Sequence, residues 1–109
     1  MTLAELRQAL PDWKFVEVRR GGAVIGCFVV KGNEIHCWQD GTNAGRWITR
    51  QDLERLTKPL FALYGQIKTK VRKSNQAGQQ FVTRMGFHQV GEDADCFHYE
   101  CERLKHARL

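Results

Sequence analysis

Leu3, Leu6 and Leu10 recur at i, i+3 and i+7. That spacing marks one face of a helix and predicts a helix over residues 2–10, with Thr2 as its N-cap and Pro11 as its stop. From Trp13 the period shortens to two. Trp13, Phe15 and Val18 lie among polar Lys14, Glu17 and Arg19, which predicts a strand. Gly21-Gly22 follows it, and glycine visits positive φ freely enough to close a tight hairpin. Residues 23–31 are apolar on both faces, with Val24, Phe28 and Val30 on one and Ile25, Cys27 and Val29 on the other. A strand of that kind is interior to a sheet covered on both sides. Gly32-Asn33 supplies a second turn and residues 34–38 a third strand, completing an antiparallel meander.

Beyond residue 39 the pattern changes. Residues 40–48 read as a glycine-containing loop. Thr49 and Asp52 then form a T-x-x-D helix start, in which each side chain satisfies a free backbone N–H group. Leu53, Leu56, Leu60, Leu63 and Tyr64 follow at helical spacing and predict an amphipathic helix facing the core. Pro59 lies inside it and predicts a kink near Arg55, and Gly65 suits the position past its end. Residues 66–73 alternate Ile67, Thr69 and Val71 against Lys68, Lys70 and Arg72, a strand with one wet face. Ser74-Asn75 precedes a helix over residues 76–85 with an expected buried stripe of Ala77/Gly78, Phe81/Val82 and Met85. Gly86 ends that helix and Phe87 folds back onto it. A short strand over 88–91, an acidic turn over 92–95, a last strand over 96–102 and a basic tail over 103–109 complete the chain. The order α-β-β-β-α-β-α-β-β predicts an α/β fold: an antiparallel meander followed by a β-α-β-α-β half, in one mixed, twisted sheet with helices on its faces. The expectation is a single domain over residues 1–109 with its core in 13–102.

Composition narrows the class. The 109 residues are 42% hydrophobic and 27% charged, which excludes disordered, collagen-like and coiled-coil chains. No apolar run approaches the ~18 residues of a membrane span, and the first residues lack the basic start of a signal peptide, so the expected location is the cytoplasm. Four cysteines without a C-x-x-C pair are expected as reduced thiols. The net charge of +5 is segregated. Lys68, Lys70, Arg72, Lys73 and Arg84 lie in a stretch without acids, followed by Glu92, Asp93, Asp95, Glu100 and Glu102 in one without Lys or Arg. The basic stretch reads either as a solvated face or as a site for phosphate groups, including those of nucleic acid along Lys68, Lys70, Arg72 and Lys73.

Residues 75–87, Asn-Gln-Ala-Gly-Gln-Gln-Phe-Val-Thr-Arg-Met-Gly-Phe, carry the most specific signature. Asn75, Gly78, Phe81, Gly86 and Phe87 resemble the C-terminal motif of the GCN5-related N-acetyltransferases, and the element order over residues 13–102 is similar to that family's fold. The resemblance implies acetyl-CoA as cofactor and an amine as acyl acceptor. It places the cofactor where the strands 34–39 and 66–73 splay apart, with the pyrophosphate at the start of the helix near Arg50, an anion site of the helix-N-terminus kind. By the same resemblance the phosphate loop corresponds to Gln39, Asp40, Gly41, Thr42, Asn43 and Ala44, with Thr42 where the family has its central glycine. Arg46 and Arg50 are further candidates for phosphate contact, and Asn75 is a candidate cofactor-binding residue. The family's commonly found tyrosine, which protonates the leaving thiolate, corresponds here to Val82.

A general base for amine attack requires a carboxylate or imidazole near the splay. Glu34 and His36 share a strand face by alternation, with Trp38 beside them, and are the candidate catalytic residues; the alternative is a structural histidine beside a solvated glutamate. Cys96, His98 and Cys101, with His36-Cys37, invite a zinc reading, but alternation on a strand sends Cys101 to the side opposite Cys96 and His98. Three functions therefore stand side by side. One is an acyl-CoA-dependent N-acetyltransferase. The second is a catalytically degenerate relative kept as a binding or structural module, similar to compact members carried by phages and prophages. The third is a nucleic-acid-binding domain.

Overall fold

The computed structural model describes residues 2–39 and 48–105. Among them are six strands and three helices in the expected order, arranged in two compact units, Met1–Ile48 and Thr49–Leu109.

The first unit begins with helix α1, Leu3–Ala9. Thr2 caps it in a reciprocal box with Glu5: each backbone N–H donates to the other's side chain at 3.1 Å, which draws the Glu5 carboxyl below its ordinary pKa, chiefly through the Thr2 backbone N–H. Strands β1 (Lys14–Arg20), β2 (Ala23–Lys31) and β3 (Glu34–Gln39) follow as an antiparallel meander with β2 in the middle. Both turns need positive φ. Gly21 and Gly22 sit at +58° and +81°, and Gly32 at +59°. As expected of an interior strand, β2 is buried on both faces: Ile25, Cys27, Phe28 and Val29 are each at most 5% exposed. Burying a side chain of that size contributes about 1.5–3 kcal/mol. Arg7 joins α1 to the meander, with its guanidinium 4.6 Å from the Phe15 ring centroid and 2.7 Å from Glu17.

The second unit opens with α2, Arg50–Tyr64, and closes that helix at Gly65 in the left-handed region. The helix runs unbroken through Pro59. Its buried side chains are Leu53 and Thr57, while Leu63 and Tyr64 are 73% and 46% exposed. The inward stripe therefore does not extend to Leu63 and Tyr64 as the leucine spacing suggested. Thr57 occupies the core in place of a hydrocarbon, its hydroxyl donating to the Leu53 carbonyl at 2.7 Å, which removes the cost of burying it.

Strand β4, Ile67–Arg72, alternates as expected, with Ile67, Thr69 and Val71 buried and Lys68, Lys70 and Arg72 exposed. Helix α3, Gln76–Met85, leads to β5, His88–Glu92, and β6, Cys96–Cys101. β6 lies between β4 and β5 and is antiparallel to both, so β4, α3 and β5 form a parallel crossover with a strand inserted in the middle. β5 extends through Glu92, one residue into the expected turn, and β6 ends at Cys101, one before the expected limit. Helix α3 packs on β4 through Gly78, where a Cβ would stand 3.0 Å from Val71 Cγ1. Val82 and Met85 are buried beneath it. Ala77, expected in the buried stripe, is exposed. Gly86 at φ +114° reverses the chain, and the Phe87 N–H donates to the Val82 carbonyl at 3.0 Å while its ring enters the core at 4% exposure.

Candidate functional site

Alternation on β3 buries Ile35 and turns Glu34, His36 and Trp38 to the opposite face. The register places His36 opposite Val29, itself opposite Phe15. Trp13, two residues before Phe15, lies on the same face, and its ring packs against the imidazole at a centroid distance of 5.3 Å and an angle of 52°. Glu34 Oε2 is 2.7 Å from His36 Nε2, with both side chains about one quarter to one third exposed. An ionised carboxylate only accepts hydrogen bonds. Its position therefore holds a proton on Nε2 and leaves the Nδ1 lone pair as the basic site of a neutral imidazole. The two predicted catalytic residues thus form one pair. Trp13, read from the sequence only as a strand residue, is its third member; the signal was there in the register, since residues 13 and 15 share a parity.

The predicted cofactor-binding residues are more dispersed. Gln39 is exposed at the end of β3. Thr42, Ala44 and Arg46 lie outside the described residues. Arg50 begins α2, and its Nε donates to Glu54 Oε1 at 3.0 Å. The first turn of α2 already holds an acid. Thr49 Oγ1 accepts the Asp52 N–H at 3.1 Å and donates to Asp52 Oδ2 at 2.8 Å, and Arg55 meets Asp52 Oδ1 at 2.8 Å. A carboxylate there is favoured by the helix dipole, and it takes the place at which an incoming phosphate gains most. The pyrophosphate position implied by the resemblance is thus a poor fit for a second anion while the Asp52 box is closed. Asn75 caps α3, its Oδ1 accepting the Gly78 N–H at 2.9 Å, so this oxygen holds the helix start.

The zinc reading fails on geometry. Cys101 is fully buried and its thiol donates to the Arg103 carbonyl at 3.0 Å, while His98 Nε2 is held by Asp93 Oδ2 at 2.8 Å. Among the described residues no three His, Cys, Asp or Glu side chains converge as a metal site. Burial pushes the thiols of Cys27 and Cys101 up, the opposite of what a nucleophilic cysteine needs.

The basic stretch separates into parts. Lys68, Lys70 and Arg72 stand in a row on the exposed face of β4. Lys73 does not join them: its ammonium is 2.5 Å from Glu92 Oε2 and 5.4 Å from the Phe97 ring centroid. Arg84 lines a groove of about 570 Å³ with Gln76, Gln79, Gln80, Thr83 and Tyr99. Tyr99 pairs with Thr69 on the buried side of β4, so Arg84 serves the other face.

No protein-family model and no curated protein sequence matches the chain. Solved structures do match, the following two among them. The PaiA N-acetyltransferase of Thermoplasma acidophilum, solved in complex with coenzyme A, superposes with a TM-score of 0.68 at 18% identity over 88% of this chain and 64% of its own. PH1933 of Pyrococcus horikoshii OT3 gives 0.68 at 17% identity over 80% of this chain and 63% of its own. The chain shares the fold of these two structures. This chain spans somewhat less than two thirds of the length of either structure. A likeness at this level of identity establishes architecture and leaves chemistry to be argued from the side chains. No helix among the described residues is long and apolar enough to cross a membrane.

Proposed function

We propose that the protein binds acyl-CoA and transfers the acyl group, as acetyl, to an amine. The observation that carries this reading is α3, in a fold shared with a coenzyme A-bound N-acetyltransferase. Its Asn75 cap, the close approach of Gly78 to Val71 and the Gly86–Phe87 lock use four of the five signature residues over 75–87. In this reading the amine nitrogen attacks the thioester carbonyl. Its proton passes to His36 Nδ1 as the new C–N bond forms, and as the C–S bond breaks the departing thiolate takes a proton from the imidazolium and leaves as the thiol. Glu34 fixes the tautomer and stabilises the imidazolium that results, the role of a carboxylate behind a general-base histidine. Arg50 and residues of the 39–46 segment supply phosphate contacts in this proposal, with the Asp52 box opening to admit them.

A second reading has its own support. Val82, where the family commonly has tyrosine, is buried at 8% exposure and has no proton to give a thiolate, and Asp52 occupies the helix start. On that basis the chain is a degenerate module that retains the fold and has lost transfer. Incubation with acetyl-CoA and a panel of primary amines, followed by thiol release and product mass, separates the two. Amine-dependent thiol release that His36→Gln abolishes supports transfer. Release absent across the panel, with binding retained, selects the degenerate module.

A further inference from the structure

The row on β4 carries a chemistry that acyl transfer does not use. Lys68, Lys70 and Arg72 occupy alternate positions of one strand, all exposed, so their stems leave the same face about 6.6–6.8 Å apart. None of the three side chains has a hydrogen bond or ion pair among the described residues. That distinguishes them from Lys73, which Glu92 neutralises. Three cations without an ion pair in a line about 13 Å long repel one another, and Glu100 across from Lys68 offsets only that end of the row.

The neighbouring strand limits the width of that partner. Register places Glu100 of β6 opposite Lys68, and His98 opposite Lys70. His98 is held by Asp93, and beyond β6 His88 is held by Glu102 at 2.8 Å. Carboxylates therefore begin one strand spacing from the row, about 4.8 Å away. A broad polyanion lying across this face meets Glu100 and Glu102 as well as the cations. A narrow one that follows β4 meets the three cations and passes a carboxylate only beside Lys68.

We propose that the exposed face of β4 is a docking surface for single-stranded nucleic acid, with Lys68, Lys70 and Arg72 each taking one phosphate. On the β6 side the register places Cys96, His98 and Glu100 beside the row, with no Phe, Tyr or Trp ring among them, so recognition is of the backbone and independent of sequence. This inference is separate from acyl transfer and does not depend on it.

The test is fluorescence anisotropy of the full chain with a labelled 15-nucleotide oligothymidylate, titrated between 25 and 200 mM salt (roughly the range over which counterion release is read). The expected result is binding with a logarithmic salt slope of about −2, from ~0.7 per phosphate on a single strand. Lys68→Gln, Lys70→Gln and Arg72→Gln each lower that slope by about 0.7, the triple variant loses binding, and Lys73→Gln leaves the slope unchanged. Amide fingerprints of the single and triple variants verify that the fold is kept, and the single variants alone decide the matter if the triple variant unfolds. Absence of binding at the lowest salt overturns the proposal, as does a Lys73→Gln effect equal to that of Lys70→Gln. A duplex of equal length that binds as tightly or more tightly contradicts the narrow corridor. Loss of coenzyme A affinity in the triple variant, without oligonucleotide binding by the parent chain, assigns the row to the cofactor and overturns the proposal too.

Discussion

Two histidine–carboxylate pairs in this protein look alike in distance and differ in what they do. His36 meets Glu34 at 2.7 Å and His98 meets Asp93 at 2.8 Å, each through Nε2. Asp93 has a second occupation. Its Oδ1 accepts the backbone N–H groups of Asp95 and Cys96, both at 2.8 Å, which closes the turn between β5 and β6. His98 and these two N–H groups hold the Asp93 carboxyl well below the usual carboxylate range. Among the described residues Glu34 closes no turn, and its imidazole partner packs against an indole on a half-buried face. The same pair of residue types is a staple where the backbone uses the carboxylate. It is a candidate base where the backbone leaves it alone.

The comparison breaks or sharpens in three places. His36→Gln is expected to lower amine-dependent thiol release by about 10²- to 10⁴-fold, the usual contribution of a positioned base, while His98→Gln leaves the rate within a few-fold. Equal losses would erase the distinction. Glu34→Gln is expected to lose no more than His36→Gln does, up to about 10⁴-fold, the cost of replacing the carboxylate behind a general-base histidine by an amide. The loss should fall on the rate constant with little change in KM, and Glu34→Asp should restore part of it. Asp93→Asn keeps the turn's acceptor and removes the charge, so its effect is the smallest and appears only in stability. Because the folded Asp93 carboxyl titrates below its unfolded value of about 3.9, its contribution is present above that pH and is lost as the pH falls from there through the folded value. Thermal melts should therefore show the variant less stable than the parent at pH 7, with the difference closing below about pH 4. A difference that grows on acidification would contradict the assignment.

Much of this architecture is legible in the residues, and the exceptions have physical causes. Binary alternation reads β4 correctly because one face is wet and the other dry. The β2 strand reads correctly because apolar residues on both faces leave it only an interior position. Helix α3 reads well because its two ends are marked by residues with a single good use, Asn75 as cap and Gly86 at positive φ. Helix α2 reads well at its ends and poorly along its length. Its leucines suggest one stripe, but Thr57 takes a core position by returning its hydroxyl to Leu53, and Leu63 faces solvent. Hydropathy assigns a hydroxyl to the surface whether or not a carbonyl is waiting for it. At the site, the Glu34–His36 pair follows from strand parity. The contact with Trp13 needs the registers of two hairpins, and the withdrawal of Lys73 from the basic row needs Glu92 from a distant strand. Neither is a property of local sequence.

Acyl-CoA binding is the claim on which the functional account rests, and a residue-resolved amide titration with acetyl-CoA tests it most directly. Saturable shifts in the 39–50 segment and around Asn75, with His36 moving when an amine is added, are the predicted result. An unchanged spectrum at millimolar acetyl-CoA would contradict the account and leave a fold without its cofactor.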